Sequence, residues 1–397
     1  MLVFVWLLQM KKIILRIWVV CVLLGLTSAH AAEVYFAGMA YSGGATSIAD
    51  RFPYTSQYLK GLEANKVRVG ALIYKDLEAN RPQNFDLAPL AAQAQLKGRD
   101  RAVSVALLLN NEAVSLERFG HFAKFFVQLR GQALFFDFKS QTVLRAYPIS
   151  LAYIDVIDHY PSEEEVHERI RLLFEGAQGK PGLFGRFALA VQKATLPEGV
   201  SRFLQVSQVT VAPEAMVGLA PALTATKGAA ETWLADMLAE AISNRAQVPI
   251  LPYVKGHALG KVMAMKIADG GAFNLKLPEP DYTIALDLTG VRRVELKRTA
   301  AEAAYVYGSY VRLRLDEPFS GKNYLDLNVK NGETKLVPAT QDTVDDIPAY
   351  ADSIRGLFNK VAENLSGKTT PWLKTAASGN DVEKQINQSA EIIKSCK

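Results

Sequence analysis

The sequence predicts an α/β (α+β) protein of two related domains, each a mixed sheet with an antiparallel meander followed by a helix on one face. Three observations carry this. Long β-rich runs come in threes, "RAVSVALLLNNEAVSLE", "HFAKFFVQLRGQALFFDF" and "TVLRAYPISLAYIDVID" early in the chain, then "DYTIALDLTGVRRVELK", "AAYVYGSYVRLRLDEP" and "KNYLDLNVKNGETKLVP" later. A helix with an apolar stripe closes each trio, and the two helices share Ile-Arg-x-Leu-Phe at Ile170–Phe174 and Ile354–Phe358. At the same spacing Val127, Leu129 and Arg130 face Val311, Leu313 and Arg314, and at a slightly larger one Phe136, Phe138 and Lys139 face Leu327, Val329 and Lys330. Asn331-Gly332 is the strongest hairpin signal in the chain, and "KSQT" reads as its counterpart.

Taken in order, the chain opens on "MLVFVWLLQMKKIILRIWVVCVLLGLTSAHAA". Lys11 and Lys12, an apolar run broken by Arg16, and Ala29-His30-Ala31 are the three regions of a secretory signal peptide. Met10 rather than Met1 then reads as the start, with cleavage after Ala31, and the protein is expected to be exported to the periplasm or the medium. Cys21 lies inside the apolar run without the small neighbours that lipid attachment needs. The expected organisation is a signal peptide over 1–31, a first α/β domain over 32–176, and a linker over 177–200 holding the amphipathic "LFGRFALAVQKA". A second domain, an internal repeat of the first, follows over 201–366, and a partly helical tail over 367–397.

Within the first domain "EVYFAGMAYSGGAT" reads as a strand entering a glycine loop, "KVRVGALIYKD" as a strand, and "DLAPLAAQAQLKG" as a short helix or loop. "SEEEVHERIRLLFEG" carries helix signals at both ends, with a serine N-cap, acids in the first turn and Gly176 as the stop. Within the second domain "RFLQVSQVTV" is a strand and "GAAETWLADMLAEAISNRA" a helix. "VPILPYV" reads as a buried strand, "ALGKVMAMKIADG" as a second helix, and "IPAYADSIRGLFNKVAENL" as the closing helix.

Composition narrows the function. The chain of 397 residues is 49% hydrophobic and 21% charged, ordinary for a globular protein. Losing Lys11, Lys12 and Arg16 takes the formal charge from +5 to +2, which leaves no nucleic-acid footprint. Cys396 is then the sole thiol, so an intramolecular disulfide is excluded and only pairing between chains is open to it.

Candidate chemistry is sparse. "GHALGKV" (Gly256–Val262) has three residues between its glycines and no hydroxyl after Lys261, so it lacks the phosphate-loop pattern. "GMAYSGG" (Gly38–Gly44) lacks dinucleotide-loop spacing and reads as a surface loop. Asp155, Asp158, His159 and His167 form the sole acid–histidine cluster, which either meets a metal or is a polar loop leading into a helix. There is no G-x-S-x-G elbow. Arg292, Arg293, Lys297 and Arg298 make the densest basic run, either a charged guard on an edge strand or loop, or a contact for an acidic partner.

The element order of the second domain, with Asp281-Tyr282 ahead of its strands and Asn331-Gly332-Glu333 near their end, resembles an α/β fold of the bacterial envelope. That fold occurs in the curli-secretion channel lipoprotein, penicillin-binding-protein activators, the N-terminal domain of the Tol-system periplasmic protein and a flagellar assembly protein. This chain lacks that family's lipid-bearing cysteine, and no functional residue carries over. The resemblance implies a non-enzymatic protein that binds other envelope components. Read from the residues themselves, the basic run Arg292, Arg293, Lys297 and Arg298 is the expected contact for envelope proteins or an anionic envelope polymer, and peripheral membrane contact is open to it. The alternatives are a small-molecule or lipid carrier using the inter-domain cleft at the Gly176–Gly199 junction, and a hydrolase with a dispersed triad. No catalytic, cofactor or metal residue is assigned.

Overall fold

Runs of 16 or 17 residues, partly alternating and partly continuous in apolar side chains, set the longest strands, and the rest of the architecture is arranged around them. The computed structural model describes residues 32–43, 48–88, 102–119, 121–177, 179–196, 202–254, 262–268, 270–341 and 344–397. The signal-peptide reading, Cys21, both candidate start codons, Gly256–Lys261 and most of "DLAPLAAQAQLKG" lie outside those residues.

In chain order, β1 (Ala32–Ser42) is followed by α1 (Ile48–Arg51), α2 (Pro53–Ala64), α3 (Val69–Ala79) and β2 (Phe85–Ala88). The first meander is β3 (Val103–Phe119), β4 (Phe122–Asp137) and β5 (Thr142–Ile157), closed by α4 (Glu163–Glu175). Short β6 (Gly176–Ala177) and β7 (Lys180–Pro181) lead to α5 (Leu183–Lys193). The second half opens on β8 (Leu204–Val211), a 3-10 turn (Pro213–Gly218), α6 (Pro221–Ala225) and α7 (Ala229–Ala246). A hairpin follows, β9 (Val262–Ile267) and β10 (Ala272–Lys276). The second meander is β11 (Tyr282–Arg298), β12 (Glu302–Glu317) and β13 (Lys322–Pro338), closed by α8 (Asp346–Leu365). The chain ends in α9 (Trp372–Ala376), β14 (Ala377–Ser378) and α10 (Val382–Lys394).

The fold is α+β with mixed sheets. In the first sheet β1 runs parallel to β3, and β3, β4 and β5 are antiparallel. In the second, β8 runs parallel to β11, and β11, β12 and β13 are antiparallel. Irregularities recur too. The ladder skips Ala37 in β1 and Ser207 in β8, Asn110 in β3 and Thr289 in β11, Leu144 in β5 and Tyr324 in β13. Bulges re-aim a strand and are placed features, so their recurrence makes the two halves variants of one topology.

The detailed sequence match is nevertheless out of register. Pairing sets Phe122–Asp137 against Glu302–Glu317, so Val127 corresponds to Tyr307 and not to Val311, a slip of four residues. Strand side chains alternate with period two, so any even slip still sets apolar residues against apolar residues. The hairpin match fails for another reason. "KNYLDLNVKNGETKLVP" is the single strand β13, and Asn331 and Gly332 sit within it opposite Ser309 and Gly308. Gly332 has none of the left-handed backbone that a tight Asn-Gly turn requires. Asn331 is buried and donates to the Ser353 carbonyl of α8 at 3.0 Å, so this pair anchors a helix to the sheet. The helix match does hold, since Ile170, Leu173 and Phe174 of α4 and Ile354, Leu357 and Phe358 of α8 are all buried.

Three further expectations are corrected. "KVRVGALIYKD" is mostly the helix α3, whose buried Val69, Ile73 and Leu77 fall at helical spacing; its β-branched residues misled the reading. "ALGKVMAMKIADG" ends in strand β9, and its Met263 and Met265 point to one face at the period of a strand. "VPILPYV" makes one isolated bridge, Gln205 to Leu251, and no extended strand.

The halves interlock through that hairpin. β9 pairs with the end of β1 (Ala40 to Ile267) and β10 touches the start of β5 (Lys276 to Thr142), which closes the first sheet into a ring. Met263, Met265 and Leu275 then cover its inner face of Ala37, Ala40, Ala106, Leu108 and Ala146. The opposite face packs Val105, Val127 and Phe135 under α3, α4 and α5. "LFGRFALAVQKA" docks here as α5, entirely within the first core.

Candidate functional site

A cleft of about 480 Å³ opens where the first meander meets the second half. One wall is β3 from Asn111 to Glu117, with Lys124 and Phe126 of β4. The other is Gly218 to Pro221, Leu223, Trp233 of α7, and Ile347, Pro348, Ala351, Asp352 and Arg355 of α8. Each wall is set by local chemistry. Asp345 caps α8 by accepting from the Ile347 N–H at 3.2 Å, which fixes the helix end that borders the cleft. Glu112 of β3 accepts from the N–H groups of Tyr54 (2.9 Å) and Thr55 (2.7 Å), and so caps α2 from another element. Burial raises the Glu112 carboxyl above its ordinary value, and the bonds from Thr55 and Tyr54 only partly oppose that.

Ion pairs bridge the halves along one side. Lys124 Nζ lies 3.4 Å from Glu117 and 3.2 Å from Asp352. Lys335 Nζ lies 3.1 Å from Asp352 and 3.8 Å from Glu117, and Arg355 pairs with Asp352 at 3.0 Å. Burial alone would raise the Asp352 carboxyl, but Lys124, Lys335 and Arg355 outweigh it and hold the group below its ordinary value. The Arg355 guanidinium also lies 5.7 Å from the Phe126 ring centre. Apolar walls with a few fixed charges suit binding of a partly apolar ligand.

Beyond the cleft, a buried polar cluster also joins the halves. Arg130 of β4 is 5% exposed, with Glu240 of α7 at 3.9 Å and Gln128 accepting its Nε–H at 3.2 Å. Asp236 of α7 is half-buried as a residue, but its carboxyl is packed round by protein. Desolvation pushes that carboxyl up to about 6 against the pull of Arg130.

The residues singled out from sequence lie elsewhere. Asp155 accepts from Tyr153 Oη at 2.9 Å, and His159 sits between Asp158 (3.1 Å) and Glu165 (3.0 Å) beside the capping box of α4. His167 instead meets Gln57 of α2, so among the described residues the four do not converge. Gly38 to Ser42 lie inside β1, so the expected surface loop is mostly strand. The basic run is the end of β11, not a loop: Arg293 forks onto Asp346 (2.9 and 2.8 Å) and Arg298 onto Glu295 (3.0 and 2.6 Å). Cys396 is buried, and desolvation raises its thiol to about 11, which disfavours the reactive thiolate. The cleft is not at the Gly176–Gly199 junction, and its charged residues come from separate segments that share no local motif.

Among the described residues no helix is long and apolar enough to cross a membrane. No protein-family model and no curated protein matches this chain. Solved structures similar in part include the following two. One is a Xanthomonas campestris protein of the family DUF330, at 15% identity and a TM-score of 0.21 over 42% of this chain and 83% of that one. The other is a Helicobacter pylori homologue of neuraminyllactose-binding hemagglutinin, at 9% identity and a TM-score of 0.26 over 50% of this chain and 98% of that one. Likenesses at that level carry no argument about this chain.

Proposed function

We propose that this chain is an exported, non-catalytic protein that binds another component of the cell envelope in the cleft between its halves. The N-terminal charge and apolar pattern supports export, and the resemblance of the second half supports the envelope. The observation that carries the reading is the cleft itself, with apolar walls from both halves and a bridged row of charges along one side. Its volume lies in the range of small-ligand pockets, which also favours carriage of a small apolar molecule as a second reading. Contact with an anionic polymer through β11 would fall to Arg292 and Lys297, since Arg293 and Arg298 are engaged by Asp346 and Glu295.

A photo-crosslinking residue at Ala351, in the cleft wall, and another at the fully exposed Phe319 test this in intact cells. A discrete envelope component captured from Ala351 and not from Phe319 supports the reading. Recovery of the chain in the cytoplasmic fraction, or identical capture from both positions, contradicts it.

A further inference from the structure

The geometry points to an extended peptide as the occupant of the cleft, held by strand addition to the open edge of β3; this rests on the reading of the cleft as a binding site. β1 pairs with β3 only as far as Leu109, beside a bulge at Asn110 in the β3–β4 ladder. β3 runs on to Phe119 with β4 on one side and, among the described residues, no strand on the other. Alternate backbone N–H and C=O groups of an edge strand point outward. From Asn111 to Glu117 none has a backbone partner beyond the β4 ladder among the described residues, and this is the stretch that lines the cleft. An unpaired edge beside apolar walls is the arrangement in which a peptide gains affinity from main-chain bonds and specificity from alternate side chains.

The second half supplies an internal comparison. Beyond Leu288, β11 has the same open edge after the same bulge. By ladder position Arg292, Arg293 and Glu295 there correspond to Ala113, Val114 and Leu116 of β3. All three charged residues are exposed, the usual device against edge-to-edge pairing. At those three positions β3 is apolar, and Leu219, Trp233 and Ile347 line the cleft with it.

Dimensions and charge narrow the occupant. Residues Asn111 to Glu117 extend about 23 Å at roughly 3.3 Å per residue, enough for a short strand. The lining holds Glu112, Glu117, Asp345 and Asp352 against Lys124 and Arg355, so a segment with apolar residues at alternate positions and basic rather than acidic ones between them fits.

The test uses the processed chain purified from cells and a blocked octapeptide of alternating valine and lysine. Two further versions are N-methylated on one or the other alternate set of amides, and a dansylated fatty acid serves as an acyl probe. The expected result is binding with Kd below about 100 µM. Methylation of one set should weaken it at least tenfold, since several main-chain bonds are lost together, and methylation of the other set should leave it within about twofold. Alternate amides between Asn111 and Glu117 should exchange more slowly in the complex. Ala113→Arg, which copies the charge found in β11, should abolish binding without changing the unfolding transition. Equal binding of both methylated peptides and the parent overturns strand addition. Binding of the acyl probe without the peptide overturns the peptide occupant and leaves the cleft reading standing. Binding of neither removes both.

Discussion

Replacing Asn331 with alanine separates an exposed turn from a buried anchor. Asn331 is 6% exposed, donates to the Ser353 carbonyl at 3.0 Å and to Glu333 at 3.1 Å, and accepts from Lys360 Nζ at 2.7 Å. Ser353 is itself fully buried, and its carbonyl cannot turn to water. An orphaned buried acceptor costs about 1–3 kcal/mol; a carbonyl already inside a helix sits at the lower end. The Lys360 bond is charge-assisted, but its half-buried ammonium can regain water, so about 1 kcal/mol is the fitting figure. The sum is about 2 kcal/mol. Urea unfolding followed by far-UV circular dichroism reads it as a shift in midpoint at unchanged slope. A loss within about 0.5 kcal/mol is what an exposed turn residue would give, and it would refute the anchor. Gly332→Ala is the companion: its new Cβ would sit 3.0 Å from Val306 Cγ1, so some destabilisation is expected there too.

Other expectations follow from single groups. Asp236→Asn should stabilise the protein at pH 7.5 by about 1–2 kcal/mol, because a carboxyl raised to about 6 penalises the charged folded form. The sign is specific: the penalty is absent below the unfolded value near 4 and complete above about 6, so the gain should fade as pH falls through that window in paired denaturation curves. Cys396 should react slowly with Ellman's reagent in the native protein and rapidly in guanidinium, and a non-reducing gel should show no disulfide-linked dimer. Glu112→Ala should cost about 1–2 kcal/mol by uncapping α2, with faster hydrogen exchange at Tyr54 and Thr55 as the local signature.

What was legible in the sequence follows period and caps. The long strands and the helices α4, α7 and α8 stand out because they run far enough for the pattern to repeat, and Ser162 and Glu165 mark a helix start by a local bond. Short elements did not, since Val67, Val69 and Ile73 favour a strand while their spacing suits a helix, and the packing of α3 on α5 decided it. The recurrence of a three-strand meander with a closing helix was visible, but its register was not, because an alternating pattern matches itself at every even shift. The Asn331-Gly332 signal failed because the side chain that favours a turn also makes a good buried anchor. The cleft was hidden altogether. Glu117, Lys124, Lys335 and Asp352 meet only because the first meander lies against α8, and no local spacing encodes that meeting.

The most direct test of the cleft as the binding site is chemical crosslinking in intact cells, comparing the wild-type chain with Ala351→Phe. The substitution places a large side chain in the cleft wall and leaves β11 and the turn at Phe319 untouched. The account predicts a discrete crosslinked envelope component that disappears in the variant while its unfolding curve stays in place. The same crosslinks at the same yield in both would contradict it, and would move the binding surface elsewhere on the molecule.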